Sequence, residues 1–290
     1  MIRRVAALCF VLGAVGTTAV VLLTRARVVE AQAVVNAAVA DFDGDGYTDA
    51  QEEAWATDPL DSGYHPDLET GIVGWWRFDE GAGTSVADAS GRSHDGALSG
   101  VIKPQWTRDD TGVELAFNGV NCVSVPDAAE LTPAGGLTLV TWTKVSSSAT
   151  GQLLSKWRSG GNGSYALSIK RGRPVLELML AGEYQALISP AGIADSNWHH
   201  VAAVFDGREA RLYLDGARVA TMHTGGPNDV VSEPLRIGQV SGSLADVGLY
   251  ARALTDGDLA LLHEVSTGGA TVPALALRSL PARKRVLALR

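Results

Sequence analysis

Asp41, Asp43, Asp45, Asp49 and Glu52 place five carboxylates within twelve residues, with Gly46 sixth and Tyr47 seventh in the run. Hard divalent cations take oxygen ligands, and alternate residues of a tight loop can turn their oxygens toward one centre. Gly46 permits the sharp turn that such a loop needs. Tyr47 would supply its carbonyl oxygen, and Glu52 both carboxylate oxygens. Five converging carboxylates repel strongly without a cation between them. The spacing therefore predicts a calcium site built from Asp41, Asp43, Asp45, Tyr47, Asp49 and Glu52.

Other chemistry is sparse. A retaining glycosidase needs two carboxylates about 5 Å apart on one face, yet Glu177 and Glu183 have no acidic partner two or four residues away. Both read as outward-facing surface carboxylates. His199 and His200 are neighbours in an apolar run, so they point to opposite faces of a strand and cannot share a metal. No nucleophile-elbow motif is present, and Cys122 reads as a small buried side chain. Trp75, Trp76, Trp142 and Trp198 lie in apolar runs and are core candidates. Trp157 and Tyr184 lie nearer loops and are the candidate ligand contacts, as rings on which a sugar can stack.

These residues need elements to position them. From Gly71 to about Glu264, short β-type runs alternate with Gly, Asp, Asn and Pro. In 137–142 and 210–215 apolar residues recur at every second position, which buries one face of a strand. Twelve runs qualify: 72–78, 113–117, 122–125, 137–144, 151–157, 164–170, 174–180, 198–205, 210–215, 218–222, 235–238 and 244–250. Asp206-Gly207 and Asp215-Gly216 are hairpin signals. The pattern predicts an all-β fold, with two antiparallel sheets packed together. Thr255, followed three residues later by Asp258, caps one short closing helix.

The 290 residues carry 24 Lys+Arg against 32 Asp+Glu, a formal charge of −8. This excludes general nucleic-acid binding. At the N-terminus MIRR precedes an apolar run from Val5 to Leu23, and Ala31-Gln32-Ala33 offers a cleavage site. The segment is an export signal or an N-terminal membrane helix, and no other part of the sequence engages a membrane. The expected organisation is a leader at 1–33, a calcium-binding stalk at 34–63, a β domain at 64–265 and a disordered tail at 266–290.

Two resemblances sharpen this reading. The acidic run, continuing to Thr57-Asp58-Pro59, resembles a bacterial thrombospondin type 3-like calcium repeat. The resemblance implies structural calcium outside the cell. Four segments of the β region resemble the laminin-G-like, concanavalin A-like jelly-roll family: 74–83 with 88–91 and 94–96; Phe117-Asn118-Gly119 with 123–126; Trp198-His199-His200-Val201 with 212–216; and 235–238 with 246–254. It implies two curved antiparallel sheets, in a fold shared by glycan-binding modules, adhesion modules and glycan-cleaving enzymes. Asp88 and Asp246 match positions where some relatives hold calcium, and form a candidate second metal pair. Asn118 and Asn121 replace frequent Asp residues there.

The expected function is non-catalytic binding of a glycan or an envelope protein, at the cell surface or outside the cell. The alternatives are a carbohydrate-active enzyme of atypical motif and a purely architectural envelope protein.

Overall fold

The computed structural model describes residues 40–43, 48–55, 58–60, 68–109, 112–146, 149–157 and 163–267. The chain divides into two compact units, Met1–His65 and Pro66–Arg290. The expected leader, Asp45, Tyr47, Thr57 and nearly all of the expected tail lie outside the described residues. No described helix is long and apolar enough to cross a membrane.

In the first unit, helix α1 spans Asp49–Trp55. The Asp49 N–H donates to the Ala40 carbonyl at 2.8 Å, and the Phe42 N–H donates to Asp49 Oδ1 at 3.0 Å. These bonds tie the start of α1 to the beginning of the acidic run. Glu52 is fully buried. The Leu60 N–H donates to Asp58 Oδ1 at 3.1 Å, an Asx-type turn.

The second unit is a sandwich. Its strands β1 to β16 are Ile72–Trp76, Ser85–Val86, Gly96–Ser99, Gln105–Asp109, Gly112–Asn118, Cys122–Val125, Leu137–Val145, Gly151–Trp157, Gly163–Lys170, Arg173–Leu180, Glu183–Ile188, Trp198–Phe205, Glu209–Leu214, Ala217–His223, Leu235–Gly238 and Ser241–Tyr250. Sheet 1 runs β14-β13-β12-β7-β16-β5-β4, with β1 also paired to β16. Sheet 2 runs β11-β10-β9-β8-β15-β6-β3-β2. Both are antiparallel throughout, as the jelly-roll expectation requires.

Alternation decides what fills the space between the sheets. Leu137, Leu139, Val201, Ala203 and Phe205 of sheet 1 meet Tyr165, Leu167, Ile169, Leu176, Leu178 and Ile237 of sheet 2 in one core. Trp76 is fully buried there, and its Nε1–H donates to the His94 carbonyl at 2.8 Å. Gly74 makes room for it, since a Cβ at that position would lie 2.4 Å from the Trp76 ring. Asp215 and Gly216 join β13 to β14 with φ of 50° and 80°. Two consecutive positive φ values are what a type I′ hairpin needs.

Helix α2 spans Asp256–Thr267. The Thr255 N–H donates to Asp258 Oδ2 at 2.9 Å and the Asp258 N–H donates to Thr255 Oγ1 at 3.0 Å, a reciprocal capping box. The helix covers the outer face of sheet 1. Trp142 of β7 stacks on His263 with ring centroids 5.6 Å apart, and its Nε1–H donates to Ser266 Oγ at 3.0 Å. No described helix covers sheet 2 in this way.

Candidate functional site

Sheet 2 has no described helix packed on its outer face, and its register determines what that face displays, with the small side chains at its centre lying deep between their neighbours. One row of cross-strand partners crosses all eight strands: Ser85, Ala97, Ser124, Arg236, Ser155, Ala166, Glu177 and Ala186. Their chain neighbours Val86, Leu98, Val123, Val125, Leu235, Ile237, Tyr165, Leu167, Leu176, Leu178 and Leu187 belong to the core. The row therefore faces outward. Six of its eight side chains are Ser or Ala, so it forms the floor of a trough between taller neighbours. At roughly 4.8 Å between strands, the trough is about 34 Å long.

Trp157, Met179 and Tyr184 stand along one side. Met179 and Tyr184 are register partners, and the Trp157 and Tyr184 rings meet edge to face with centroids 6.1 Å apart. Trp157 lies directly on Gly163, where a Cβ would fall 2.3 Å from the indole. Gln152, Ser168, Val175 and Ile188 form the row on the other side.

At one end of the trough a polar knot holds the aromatic wall. The Tyr184 hydroxyl and Lys170 Nζ each donate to Glu177 Oε1 at 2.7 Å, and Ser168 Oγ donates to Glu177 Oε2 at 2.7 Å. Burial pushes the Glu177 carboxyl up, but the bonds from Lys170, Ser168 and Tyr184 outweigh it and hold the group below its ordinary value. Burial and the adjacent carboxylate both push the Tyr184 hydroxyl up. Tyr184 keeps about half of its surface exposed, so the ring is fixed at its tip and open on its face.

Glu177 was expected as a lone surface carboxylate. It does face outward, but it is only 9% exposed and serves three donors. Its partners at 168, 170 and 184 lie on β9 and β11, which flank β10. Strand pairing brings them together, and spacing along β10 alone does not reveal them. Arg236 was likewise missed, although an Arg between the core residues Leu235 and Ile237 marks an outward-pointing strand position.

The other expected residues lie outside the trough, with Trp76 of β1 partnered by Asp88 on one side and by Val247, next to Asp246, on the other. Asp88 is a backbone anchor: Oδ1 accepts the Trp75 and Ser90 N–H groups and Oδ2 accepts the His94 N–H, each at 2.9 Å. Burial raises its carboxyl, but these donors more than offset the effect and leave it below its ordinary value. Asp246 lies at a bulge in β16, with φ of 49° and its N–H donating to the Arg77 carbonyl at 3.3 Å. Among the described residues, no three His, Cys, Asp or Glu side chains gather as a metal cluster.

The adjacent histidines diverge as their alternation predicts. His199 Nδ1 lies 2.9 Å from Asp215 Oδ2, and its Nε2 lies 3.2 Å from Asp195 Oδ1. The Asp215 carboxylate, opposed by burial and helped by Asp195, holds this imidazole above its ordinary value. His200 instead packs against Trp142 and His263. Cys122 is buried, and burial pushes its thiol up.

Comparison with known proteins places this architecture. No curated protein matches the chain. Among solved structures, the binding domain of Paraclostridial Mosquitocidal Protein 1 is similar at 15% identity and a TM-score of 0.58, over 68% of this chain and 53% of that one. The receptor binding domain of botulinum neurotoxin mosaic serotype C/D is similar at 13% and 0.55, over 68% and 51%. The binding domain of botulinum neurotoxin DC, in complex with SialylT, is similar at 13% and 0.54, over 68% and 52%. At these identities the likeness is one of fold, and this chain spans about half the length of each. A family model, Laminin_G_3, described as the concanavalin A-like lectin/glucanases superfamily, matches residues 107–260. That stretch is more than half of the chain and runs from β4 into α2, so the protein belongs to the concanavalin A-like lectin/glucanases superfamily.

Proposed function

We propose that this protein is a non-catalytic glycan-binding module, exported to the cell surface or beyond, with its ligand lying along the trough of sheet 2. The observation that carries the reading is the Trp157–Tyr184 pair standing over a floor of small polar and apolar residues. Such a trough admits an extended chain, with the aromatic faces covering sugar rings and the half-buried Ser124 hydroxyl beside it, while the buried Ser155 and Ser168 hydroxyls are held by Gln152 and Glu177. The names of the similar structures support binding as the role: they are binding and receptor-binding domains, and one is in complex with SialylT.

Catalysis fits the trough poorly. Glu177 is the only carboxylate in the row, its proton affinity is depressed, and three donors occupy its oxygens. A general acid needs a raised pKa, and glycoside cleavage needs a second carboxylate facing the first. The test is a glycan array probed with the full chain and with Trp157→Ala. The native protein is expected to bind a subset of saccharides, and the variant to bind them about tenfold or more weakly. Absence of binding to every saccharide by a folded native protein defeats the proposal, as does release of shortened saccharides.

For the first unit we propose structural calcium held by Asp41, Asp43, Asp45, Tyr47, Asp49 and Glu52. The bonds tying Asp49 to Ala40 and Phe42, together with the burial of Glu52, support a closed loop around one centre. The affinity expected is of the extracellular kind, on the order of 10⁻⁴ to 10⁻³ M. Ten millimolar calcium should then raise the melting temperature of the first unit relative to chelator, because a ligand that binds the folded form stabilises it. Asp45→Ala should abolish the shift. Identical melting of the native protein in calcium and chelator counts against the site.

A further inference from the structure

We infer that the saccharide held in the sheet 2 trough is acidic, and that Arg236 is the residue that meets its carboxylate or sulfate group. The inference rests on the glycan reading above and narrows it to one chemical class. Arg236 lies on β15 near the middle of the sheet, with Ser124 beside it on β6 and Ser155 beside it on β8. Neither neighbour is tall enough to cap a guanidinium. Nη1 donates to the Trp157 carbonyl at 3.0 Å, which brings the charge next to the aromatic wall.

Arg236 differs from the lysines of sheet 2 in its partners and from Arg173 in its place: Lys170 is held by Glu177 at 2.7 Å and Lys156 is fully buried against Asp127, while Arg173, which also donates only to a backbone carbonyl, that of Pro190 at 2.8 Å, is exposed at the end of β10. Among the described residues no carboxylate pairs with Arg236, and its single hydrogen bond is the one to Trp157. A half-buried guanidinium retains most of its five donors in a planar fork, which matches a carboxylate or sulfate edge to edge. A neutral sugar hydroxyl would occupy one donor and leave the charge uncompensated.

Charge segregation points the same way. Apart from Lys156, which is buried against Asp127, the strands of sheet 2 carry Lys170, Arg173 and Arg236 against Glu177 and Glu183, a net of +1 in a chain whose formal charge is −8. Those of sheet 1 carry Arg108, Lys144, Arg211 and Arg218 against Asp109, Glu114, Glu209 and Asp246, a net of zero. Lys103 reinforces the field at the β6 side: it and Arg236 both act on the Cys122 thiol, against the stronger effect of burial. A face more positive than its protein attracts anions locally where the whole molecule would repel them.

The test is an array that pairs each carboxylated or sulfated saccharide with its neutral counterpart. It is probed with the native full chain, with Arg236→Gln, and with Arg173→Gln as a control at the sheet edge. The native chain and the Arg173 variant are expected to prefer the acidic member of at least one pair by about tenfold or more. Arg236→Gln should lose that preference and keep its weaker binding to the neutral member. Separate carboxylate and sulfate spots tell which acid is meant. Equal binding to both members by the native chain, or a preference retained in Arg236→Gln, overturns the inference and leaves the glycan reading standing. Binding to no spot overturns both. If Arg236→Gln melts early, Arg236→Lys keeps the charge and removes the fork; undiminished acid preference in that variant, with normal melting, also counts against bidentate recognition.

Discussion

Trp76→Ala should lower the stability of the sandwich by about 3–5 kcal/mol, the range for removing a large aromatic from a closed core. For a unit of this size that is a fall in melting temperature of roughly 10 °C or more. Trp76 is fully buried between the sheets. Its ring fills space left by Gly74, which cannot collapse into the cavity, and its N–H is the donor to the His94 carbonyl. Two effects therefore add: lost apolar burial and a lost hydrogen bond joining β1 to the loop before β3. Trp76→Phe separates them, since it keeps much of the ring and loses the donor, and it should cost about half as much. Calorimetry or circular dichroism melts of the three proteins check this. An alanine variant melting within a degree or two of the native protein would mean that the two sheets do not close over Trp76.

The same alternation that buries this core made most of the fold legible in sequence. β7 and β13 carry apolar residues at every second position because one side of each meets the opposing sheet, whereas β12 is a continuous apolar run from Val201 to Phe205, buried on both faces. The Asp215-Gly216 turn was legible because few residues adopt two positive φ values in succession. The closing helix announced itself by Thr255 and Asp258. Four strands escaped: β2, β3, β4 and β11. β2 has two residues and β3 reads GALS, too short or too small-residued for an apolar pattern. β4 and β11 are edge strands, the first mainly polar and the second half polar, and they pair because neighbouring strands offer unsatisfied backbone groups. Backbone pairing there outweighs side-chain preference.

The trough was far less legible. Trp157 and Tyr184 were identifiable as aromatics outside the apolar runs, but their meeting depends on β9 and β10 lying between them. The row from Ser85 to Ala186 is a property of register. Its members lie at least nine residues apart along the chain, and Ser and Ala at outward positions look like ordinary solvent-facing choices. Arg236 and Glu177 gain their meaning only when the row is assembled: one is a cation without a carboxylate, the other a carboxylate with three donors.

Asp88 offers the second large effect, and it separates an anchoring carboxylate from a metal ligand. Its two oxygens accept three backbone N–H groups, from Trp75, Ser90 and His94, while its own N–H donates to Asp95 Oδ1 at 2.8 Å. Asp88→Ala leaves three donors in a half-buried turn without their acceptor. Bonds to a charged group are worth about 1.5–3 kcal/mol each, but water can reach part of this site, so about 3 kcal/mol in total is expected. Asp88→Asn keeps one oxygen and should lose roughly half of that. The pH dependence has a fixed sign. The carboxyl is held below its ordinary value of 3.8, so its contribution is complete above that pH and disappears as pH falls through the depressed folded value. The gap between native and Asp88→Ala melting should therefore be constant near neutrality and close in acid. It should also be the same in calcium and in chelator if backbone anchoring is the whole role. A gap that exists only in calcium, and that Asp246→Asn reproduces, would instead make Asp88 and Asp246 ligands of a second ion.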